Sequence, residues 1–159
     1  ESGEEMKPSV SALEYSLTLL EKRDFCIQEL RRRLEQRGYP EEEVGEALTR
    51  LLEWGYLNDQ AYLQRQVEKY LAAGKSRAFI RQRMLLSGLE PEVVEEGLAQ
   101  FYPPAKERAL IKFWWEKLFG DTSLTAPGKK EIIKWARRLY AAGFPMEEIE
   151  PYLNQVKES

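Results

Sequence analysis

The chain has 159 residues, of which 43% are hydrophobic and 32% are charged, and its formal net charge is −3. These values suit one compact domain or a short row of small modules, and they exclude global disorder. With no histidine and a single cysteine, the chain cannot form an intramolecular disulfide or an ordinary Cys/His zinc site, and it lacks the commonest general base.

Several signatures of enzymes and membrane proteins are also missing from the sequence. There is no glycine-rich phosphate-binding loop, no apolar run near the ~18 residues that span a bilayer and no signal-peptide pattern. The sequence begins with Glu1 and not with an initiator methionine, which suggests either a fragment boundary or a remnant left from expression. We therefore expect a cytoplasmic protein that is not an enzyme and needs no cofactor, metal or membrane. Cys26 is expected to be a small core residue.

Helical signals begin at Ser11, which has the capping-box spacing to Glu14 and is followed by Leu13, Leu17 and Leu20. The spacing of Leu30 and Leu34 predicts a second helix. It is expected to end before Gly38, where φ is often positive. Pro40 then falls near the first turn of a third helix, where its missing N–H costs nothing.

This helix–glycine–helix pattern recurs at Gly88, 50 residues after Gly38, and again at Gly143, 55 residues after Gly88. Apolar residues stand eight and four positions before each glycine, and one, six and ten positions after it. A repeat of this length is typical of a modular helical array. The matching residues are Leu30, Leu34, Tyr39, Val44 and Leu48 in the first copy, Ile80, Met84, Leu89, Val94 and Leu98 in the second, and Trp135, Leu139, Phe144, Ile149 and Leu153 in the third.

Further helices are predicted between the copies, over 59–74 and 104–119, and no segment shows the alternation of a strand. We predict an all-α fold of about nine helices in tandem three-helix repeats. The predicted repeats are 9–58, 59–103 with an extension into the helix 104–119, and 121–159. The loop 120–128 is the clearest predicted linker. Trp54 and Trp135 occupy or adjoin apolar repeat positions, so both are predicted to lie in the core.

Basic residues are concentrated on the first helix of each glycine-centred copy, and acidic residues on the second. Helix dipoles account for many of them, since acids suit helix starts and bases suit helix ends. They do not account for Lys75, Arg77, Lys129 and Lys130, which stand at helix starts. A stack of such helices would carry a positive stripe that can meet phosphates or an acidic protein surface. The candidate residues are Arg31, Arg32, Arg33, Arg37, Lys75, Arg77, Arg81, Arg83, Lys129, Lys130, Lys134, Arg137 and Arg138.

The chain resembles the RecX family of bacterial RecA regulators over roughly residues 13–153. The family pattern is an E-L-x-x-x-L-x-x-x-G helix–turn, a downstream Gly-Tyr-Leu-x-Asp, and a second helix–turn of the same kind. The matching residues are Glu29, Leu30, Leu34, Gly38, Gly55, Tyr56, Leu57, Asp59, Ile80, Met84, Gly88 and Leu89. Cys26 departs from the family, which usually has a small hydroxyl residue there, and the third repeat is the most divergent.

The resemblance implies three tandem three-helix repeats in an elongated, curved molecule. It also implies binding to the RecA–single-stranded DNA filament and inhibition of its ATPase, strand-exchange and coprotease activities, without catalysis. From the residues we expect a monomer that binds free single-stranded DNA at most weakly and non-specifically. Neither the face that meets the recombinase nor the choice between capping and groove binding follows from the sequence.

Two other functions compete with this interpretation. A helical-repeat scaffold could bind proteins without any nucleic acid, and its binding would respond little to salt. A helix-turn-helix protein would insert its second helix into the DNA major groove. The second helices here are acidic, which opposes such insertion. Their acids are Glu41, Glu42, Glu43 and Glu46 in the first copy and Glu92, Glu95 and Glu96 in the second.

Overall fold

The computed structural model describes residues 10–120 and 127–158, which form nine α-helices. The all-α prediction and the predicted number of helices are confirmed. Much of the predicted linker, residues 121–126, lies outside the described residues, as do residues 1–9. The helices are α1 (Ala12–Lys22), α2 (Ile27–Arg37), α3 (Glu41–Glu53), α4 (Asp59–Ala72), α5 (Arg77–Ser87), α6 (Pro91–Phe101), α7 (Pro104–Phe119), α8 (Lys129–Ala141) and α9 (Met146–Glu158).

The helix boundaries follow the predicted signals. The Ser11 hydroxyl accepts a hydrogen bond from the Glu14 N–H, and the Glu14 carboxylate accepts one from the Ser11 N–H, both at 3.1 Å. Gly38, Gly88 and Gly143 follow α2, α5 and α8 with φ of 100°, 100° and 99°. In this left-handed region a side chain is strained, which explains why glycine stands at all three positions. The predicted capping box and the predicted glycine turns are therefore confirmed.

Two compact units are present in the chain. One comprises the chain up to Gln66 together with Met84–Val94, and the other comprises Val67–Arg83 together with Glu95–Ser159. The predicted repeat boundaries and the predicted shape stay predictions. Within the described residues, every helix is too short or too polar to span a lipid bilayer.

In the first unit, α1, α2 and α3 pack on one another. Their apolar faces meet in a core that includes Leu30, Leu34, Val44 and Leu51. Leu57, directly after α3, completes the same core. Burial of each large aliphatic side chain contributes about 1.5–3 kcal/mol, so the predicted repeat positions are the main source of stability here.

In the second unit, α9 packs on α7 and α8. The core contains Ile111, Leu139 and Phe144, and Trp135 lies among other aromatic rings, 5.4 Å from Trp115 between centroids. The prediction that Trp135 is a core residue is therefore confirmed.

One junction is built twice from equivalent residues. In the first unit, the Cys26 thiol at the start of α2 donates a hydrogen bond to the Ser87 carbonyl, at 3.2 Å. The N–H of Ile27 donates to the Asp59 carboxylate at 2.9 Å. This carboxylate satisfies one of the free N–H groups at the start of α2.

In the second unit, the Ser76 hydroxyl at the start of α5 donates to the Ala142 carbonyl at 2.8 Å. The N–H of Arg77 donates to the Glu107 carboxylate at 2.8 Å. Cys26 and Ser76 each stand twelve residues before a repeat glycine. The carbonyls that they contact belong to the residues directly before Gly88 and Gly143, so the start of one repeat helix meets the end of the next by the same contacts.

Candidate functional site

Twelve of the thirteen predicted basic residues lie on three equivalent helices, and the thirteenth, Lys75, lies shortly before one of them. Arg31, Arg32, Arg33 and Arg37 are on α2; Arg77, Arg81 and Arg83 are on α5, with Lys75 two residues before it; Lys129, Lys130, Lys134, Arg137 and Arg138 are on α8. They differ in whether their charged groups already form hydrogen bonds, ion pairs or ring contacts within the chain.

On α2, three of the four arginines have contacts within the first unit. Arg32 is exposed, as expected from its helical position, yet its guanidinium donates to the Ser87 carbonyl at 3.1 Å. It thereby satisfies a carbonyl at the end of α5. Arg33 lies 5.7 Å from the Phe25 ring centroid and Arg37 lies 4.2 Å from the Tyr15 ring centroid.

Tyr15 shows the effect of these arginines on its own acidity. Burial raises the pKa of its phenol, but hydrogen bonds and charge from Arg33 and Arg37 outweigh burial and leave the pKa below its ordinary value. In the described part of the chain, Arg31 is the one α2 arginine with no such contact.

On α5, the basic residues are engaged inside the second unit. Arg81 forms a two-pronged ion pair with Glu95, at 2.6 and 3.2 Å, and this pair lowers the pKa of the Glu95 carboxyl. Arg77 donates from Nε to the Tyr102 carbonyl at 2.6 Å. Arg83 donates to the Tyr70 hydroxyl at 3.1 Å.

Lys75 lies just before α5, with its ammonium 4.9 Å from the Phe79 ring centroid. The presence of cations at the start of α5 therefore has a structural reason that the sequence did not show. Arg77 ties the end of α6 to the start of α5, and the Glu107 carboxylate behind it compensates its unfavourable position in the helix dipole.

On α8, the five cations are exposed, and none has a hydrogen bond or ion pair among the described residues. The opposite side of the helix is buried through Ile132, Trp135, Ala136 and Leu139. Lys130, Lys134 and Arg137 follow one another at helical spacing and so share the outer side of α8. We call the surface formed by Lys129, Lys130, Lys134, Arg137 and Arg138 the α8 basic face. Within α8 itself, Glu131 is the one acidic residue.

Two features were missed from the sequence. Trp54 is 51% exposed, so the prediction that it is a core residue is wrong. It follows the last turn of α3 at the Gly55 corner, where φ is +81°, and the chain turns before the ring reaches the core. Its ring packs edge-on against Tyr56, which is 60% exposed, with 6.3 Å between centroids.

The second missed feature is a cavity of about 570 Å³ lined by Arg77, Glu107, Arg108 and Glu148 among others. Glu107 is buried, and Oε1 of Glu148 has no hydrogen-bond partner among the described residues. Burial first, and then the neighbouring Glu107 carboxyl, raise the pKa of Glu148 to about 7. Nothing in the sequence pattern marked these two glutamates, because acids at helix starts normally face solvent.

Chemically reactive groups are scarce in the described part of the chain. Cys26 is fully buried as predicted, and burial raises the pKa of its thiol to about 11, so it remains a thiol at neutral pH. No group of three or more His, Cys, Asp or Glu side chains within the described residues is placed to hold a metal ion.

Comparison with known proteins gives consistent results. Residues 12–51, which cover α1, α2 and nearly all of α3, match the family model described as "RecX, first three-helix domain". The regulatory protein RecX of Caldanaerobacter subterraneus is 32% identical over 90% of this chain and 69% of its own length. That of Vibrio vulnificus is 31% identical over 89% of this chain and 90% of its own length.

Solved structures share the fold. The crystal structure of RecX from Lactobacillus salivarius superposes with a TM-score of 0.76 at 17% identity, over 93% of this chain and 96% of that one. A crystal structure titled regulatory protein RecX has a TM-score of 0.69 at 23% identity, over 93% and 70% of the two chains. On the identity and coverage of its sequence relatives, this chain belongs to the RecX family.

Proposed function

We propose that this protein is a non-enzymatic regulator of the bacterial RecA recombinase. It binds the filament that RecA forms on single-stranded DNA and inhibits the ATPase, strand-exchange and coprotease activities of that filament. The relatives named regulatory protein RecX support a regulatory role. We further propose that the protein acts in the cytoplasm as a monomer, and that free single-stranded DNA is a weak and non-specific ligand.

The observation that carries the proposal is the α8 basic face. Five cations on one exposed helix, with one acid beside them and no partner among the described residues, are unusual in a chain with a net charge of −3. Exposed cations of this kind add little to the stability of the fold. It is suited to phosphates or to an acidic protein surface, and a nucleoprotein filament offers both.

The other basic residues have a different part in the proposal. Arg32, Arg77 and Arg81 already donate to carbonyls or a carboxylate. Turning them toward a partner would leave those acceptors unsatisfied, at a cost of about 1–3 kcal/mol for each buried one. We therefore propose that α8, with Arg31 as an addition on α2, makes the primary contact. The remaining arginines mainly stabilise the fold.

Occupation of the filament surface supplies a physical route to inhibition. ATP turnover and strand exchange require neighbouring RecA subunits to rearrange. A protein bound through several cations stabilises the arrangement to which it binds and opposes departure from it. This route needs no catalytic group on the regulator.

The binding face can be tested by charge reversal. In Lys134→Glu/Arg137→Glu/Arg138→Glu we expect filament affinity to fall steeply at low salt. Because each phosphate contact on a single strand contributes ~0.7 to the slope of log K against log salt, losing three should reduce that slope by about 2. Affinity would be measured by biolayer interferometry on filaments assembled on an immobilised oligonucleotide, over a series of salt concentrations.

The matched control reverses three exposed cations that lie in neither the α8 basic face nor α3, Lys22→Glu/Lys69→Glu/Lys112→Glu, and should bind like the wild type. Equal affinity of the α8 variant and the wild type would contradict this assignment of the binding face. Wild-type binding that hardly responds to salt would favour the scaffold alternative.

A further inference from the structure

The turn between α3 and α4 contains a side chain whose exposure the fold does not explain. In the segment from Gly55 to Asp59, Gly55 supplies the positive φ and Leu57 is buried. The Asn58 side chain accepts from the Ala61 N–H at 3.0 Å, and Asp59 accepts from the Ile27 N–H at 2.9 Å. Tyr56 is 60% exposed, and its ring packs edge-on against the similarly exposed Trp54.

The Trp54–Tyr56 pair adjoins a shallow groove on the outer side of α3. The groove has a volume of about 630 Å³ and is lined by Glu42, Gly45, Glu46, Thr49, Arg50 and Glu53. Trp54 keeps right-handed helical backbone angles and directly follows Glu53, the last residue that lines the groove, so it adjoins the C-terminal end of the groove. We call the groove and the two rings together the α3 surface.

Gly45 is a second departure from what folding alone requires. A glycine in a helix interior is less favourable than alanine. An added Cβ at this position would meet no described heavy atom within 4 Å, so packing within the chain does not require glycine. The small residue keeps the floor of the groove open, which is useful only when something else enters it.

The charge of the α3 surface selects the class of occupant. Its carboxylates Glu42, Glu46 and Glu53 have no partner among the described residues, and Arg50 is the single cation beside them. They stand within about one Debye length of a ligand in the groove, so they repel phosphate and attract basic side chains. Exposed Trp and Tyr are the residues most often found as anchors at protein interfaces.

We propose that the α3 surface is a docking site for a protein surface that presents basic side chains around an apolar one. In the filament this occupant is the recombinase protein rather than its DNA, and only this identification rests on the proposed function. The α8 basic face and the α3 surface then take ligands of opposite charge.

The test compares truncation of the Trp54–Tyr56 pair with truncation of another exposed pair, Phe113 and Leu118. In Trp54→Ala/Tyr56→Ala we expect the Kd for RecA filaments to rise ~tenfold or more, as for truncation of interface anchors, while affinity for a free oligonucleotide stays unchanged. The control Phe113→Ala/Leu118→Ala removes side chains that are 56% and 62% exposed on α7 and should bind filaments like the wild type. Both variants are checked by circular dichroism and thermal unfolding.

A second variant separates binding from folding. Gly45→Ala should raise Tm, because alanine favours the helix, and should nevertheless weaken filament binding by filling the groove. A Gly45→Ala chain that binds as tightly as the wild type would remove the groove from the site.

The outcomes distinguish this inference from the proposed function. Undiminished filament binding by Trp54→Ala/Tyr56→Ala would overturn the docking site while leaving the proposed function intact. Loss of oligonucleotide binding by the same variant would also overturn it, since the rings would then be stacking on bases. Failure of the wild type to bind filaments at all would overturn both.

Discussion

Cys26 and Ser76 show how much of this fold depends on single residues. Each supplies a small donor at a helix start, and each donates to the carbonyl directly before a repeat glycine. The size of the residue at the repeat glycine matters as well. A Cβ added to Gly88 would lie 2.6 Å from Cγ and 2.7 Å from Cβ of Gln28. Glycine at this position therefore allows both the turn and the close approach of α2.

Comparison of two glycine variants separates these roles. Gly38→Ala and Gly88→Ala both force alanine to a φ near +100°, which costs about 1–2 kcal/mol. At Gly38 no described atom lies within 4 Å of the added Cβ, so only this cost applies. We expect Gly88→Ala to lower the free energy of unfolding by clearly more, measured by urea denaturation. Equal destabilisation would contradict the tight junction at Gly88.

Glu148 should make the free energy of unfolding depend on pH. Its side chain is 11% exposed, and the groups that face it are Glu107 and Arg108 of α7 and Arg77 of α5. Its pKa is about 7 in the folded chain against 4.5 in the unfolded chain, so folding takes up a proton. The stability associated with this group is fully present below 4.5 and is lost as the pH rises through about 7.

The matched variants are Glu148→Gln and its exposed neighbour Glu147→Gln. Glu148→Gln imitates the protonated acid, so its Tm should exceed that of the wild type at about pH 8 and approach it at about pH 5. Glu147→Gln should follow the wild type at both values. A wild type and a Glu148→Gln variant with parallel Tm–pH curves would show that Glu148 is already ionised in the fold.

Among the helices, α5 and α8 occupy equivalent positions in the repeat, but their charged side chains make different contacts. Both carry several cations, and both bury the two apolar repeat residues before the glycine, which are Ile80 and Met84 on α5 and Trp135 and Leu139 on α8. The pattern therefore predicted both as parts of one basic stripe. Only the packed structure shows that Arg77 and Arg81 reach acceptors on neighbouring segments, whereas the α8 cations reach none within residues 10–120 and 127–158. Periodicity determines which side a residue is on, but it does not determine which partners are within reach.

This difference predicts opposite effects on stability. Arg77→Ala removes a charged donor from the Tyr102 carbonyl and should cost about 1–3 kcal/mol. Lys134→Ala/Arg137→Ala/Arg138→Ala should change the free energy of unfolding by no more than about 0.5 kcal/mol per site. Urea denaturation checks both. A large loss of stability in the α8 variant would mean that its cations have structural partners, and would weaken their assignment to binding.

At the scale of the whole molecule, the sequence was most informative about the helices and least informative about contacts far apart in the chain. The glycine register, the capping box and the helix after Pro103 were all predicted, because they depend on local spacing and backbone geometry. Trp54 was misplaced because its apolar character indicates burial, while the Gly55 turn that directs it outward depends on the path of the chain. The junctions at Cys26 and Ser76 were not predicted, since each joins residues more than sixty positions apart.

The most direct test of the proposed function is DNA-dependent ATP turnover by RecA filaments while this protein is titrated in at fixed salt. We predict that the wild type inhibits turnover, that Lys134→Glu/Arg137→Glu/Arg138→Glu does not, and that Lys22→Glu/Lys69→Glu/Lys112→Glu inhibits like the wild type. Inhibition at a small fraction of the RecA concentration would indicate action at filament ends or across several subunits. Unchanged turnover at every concentration of the wild type would contradict the regulatory function proposed for this chain.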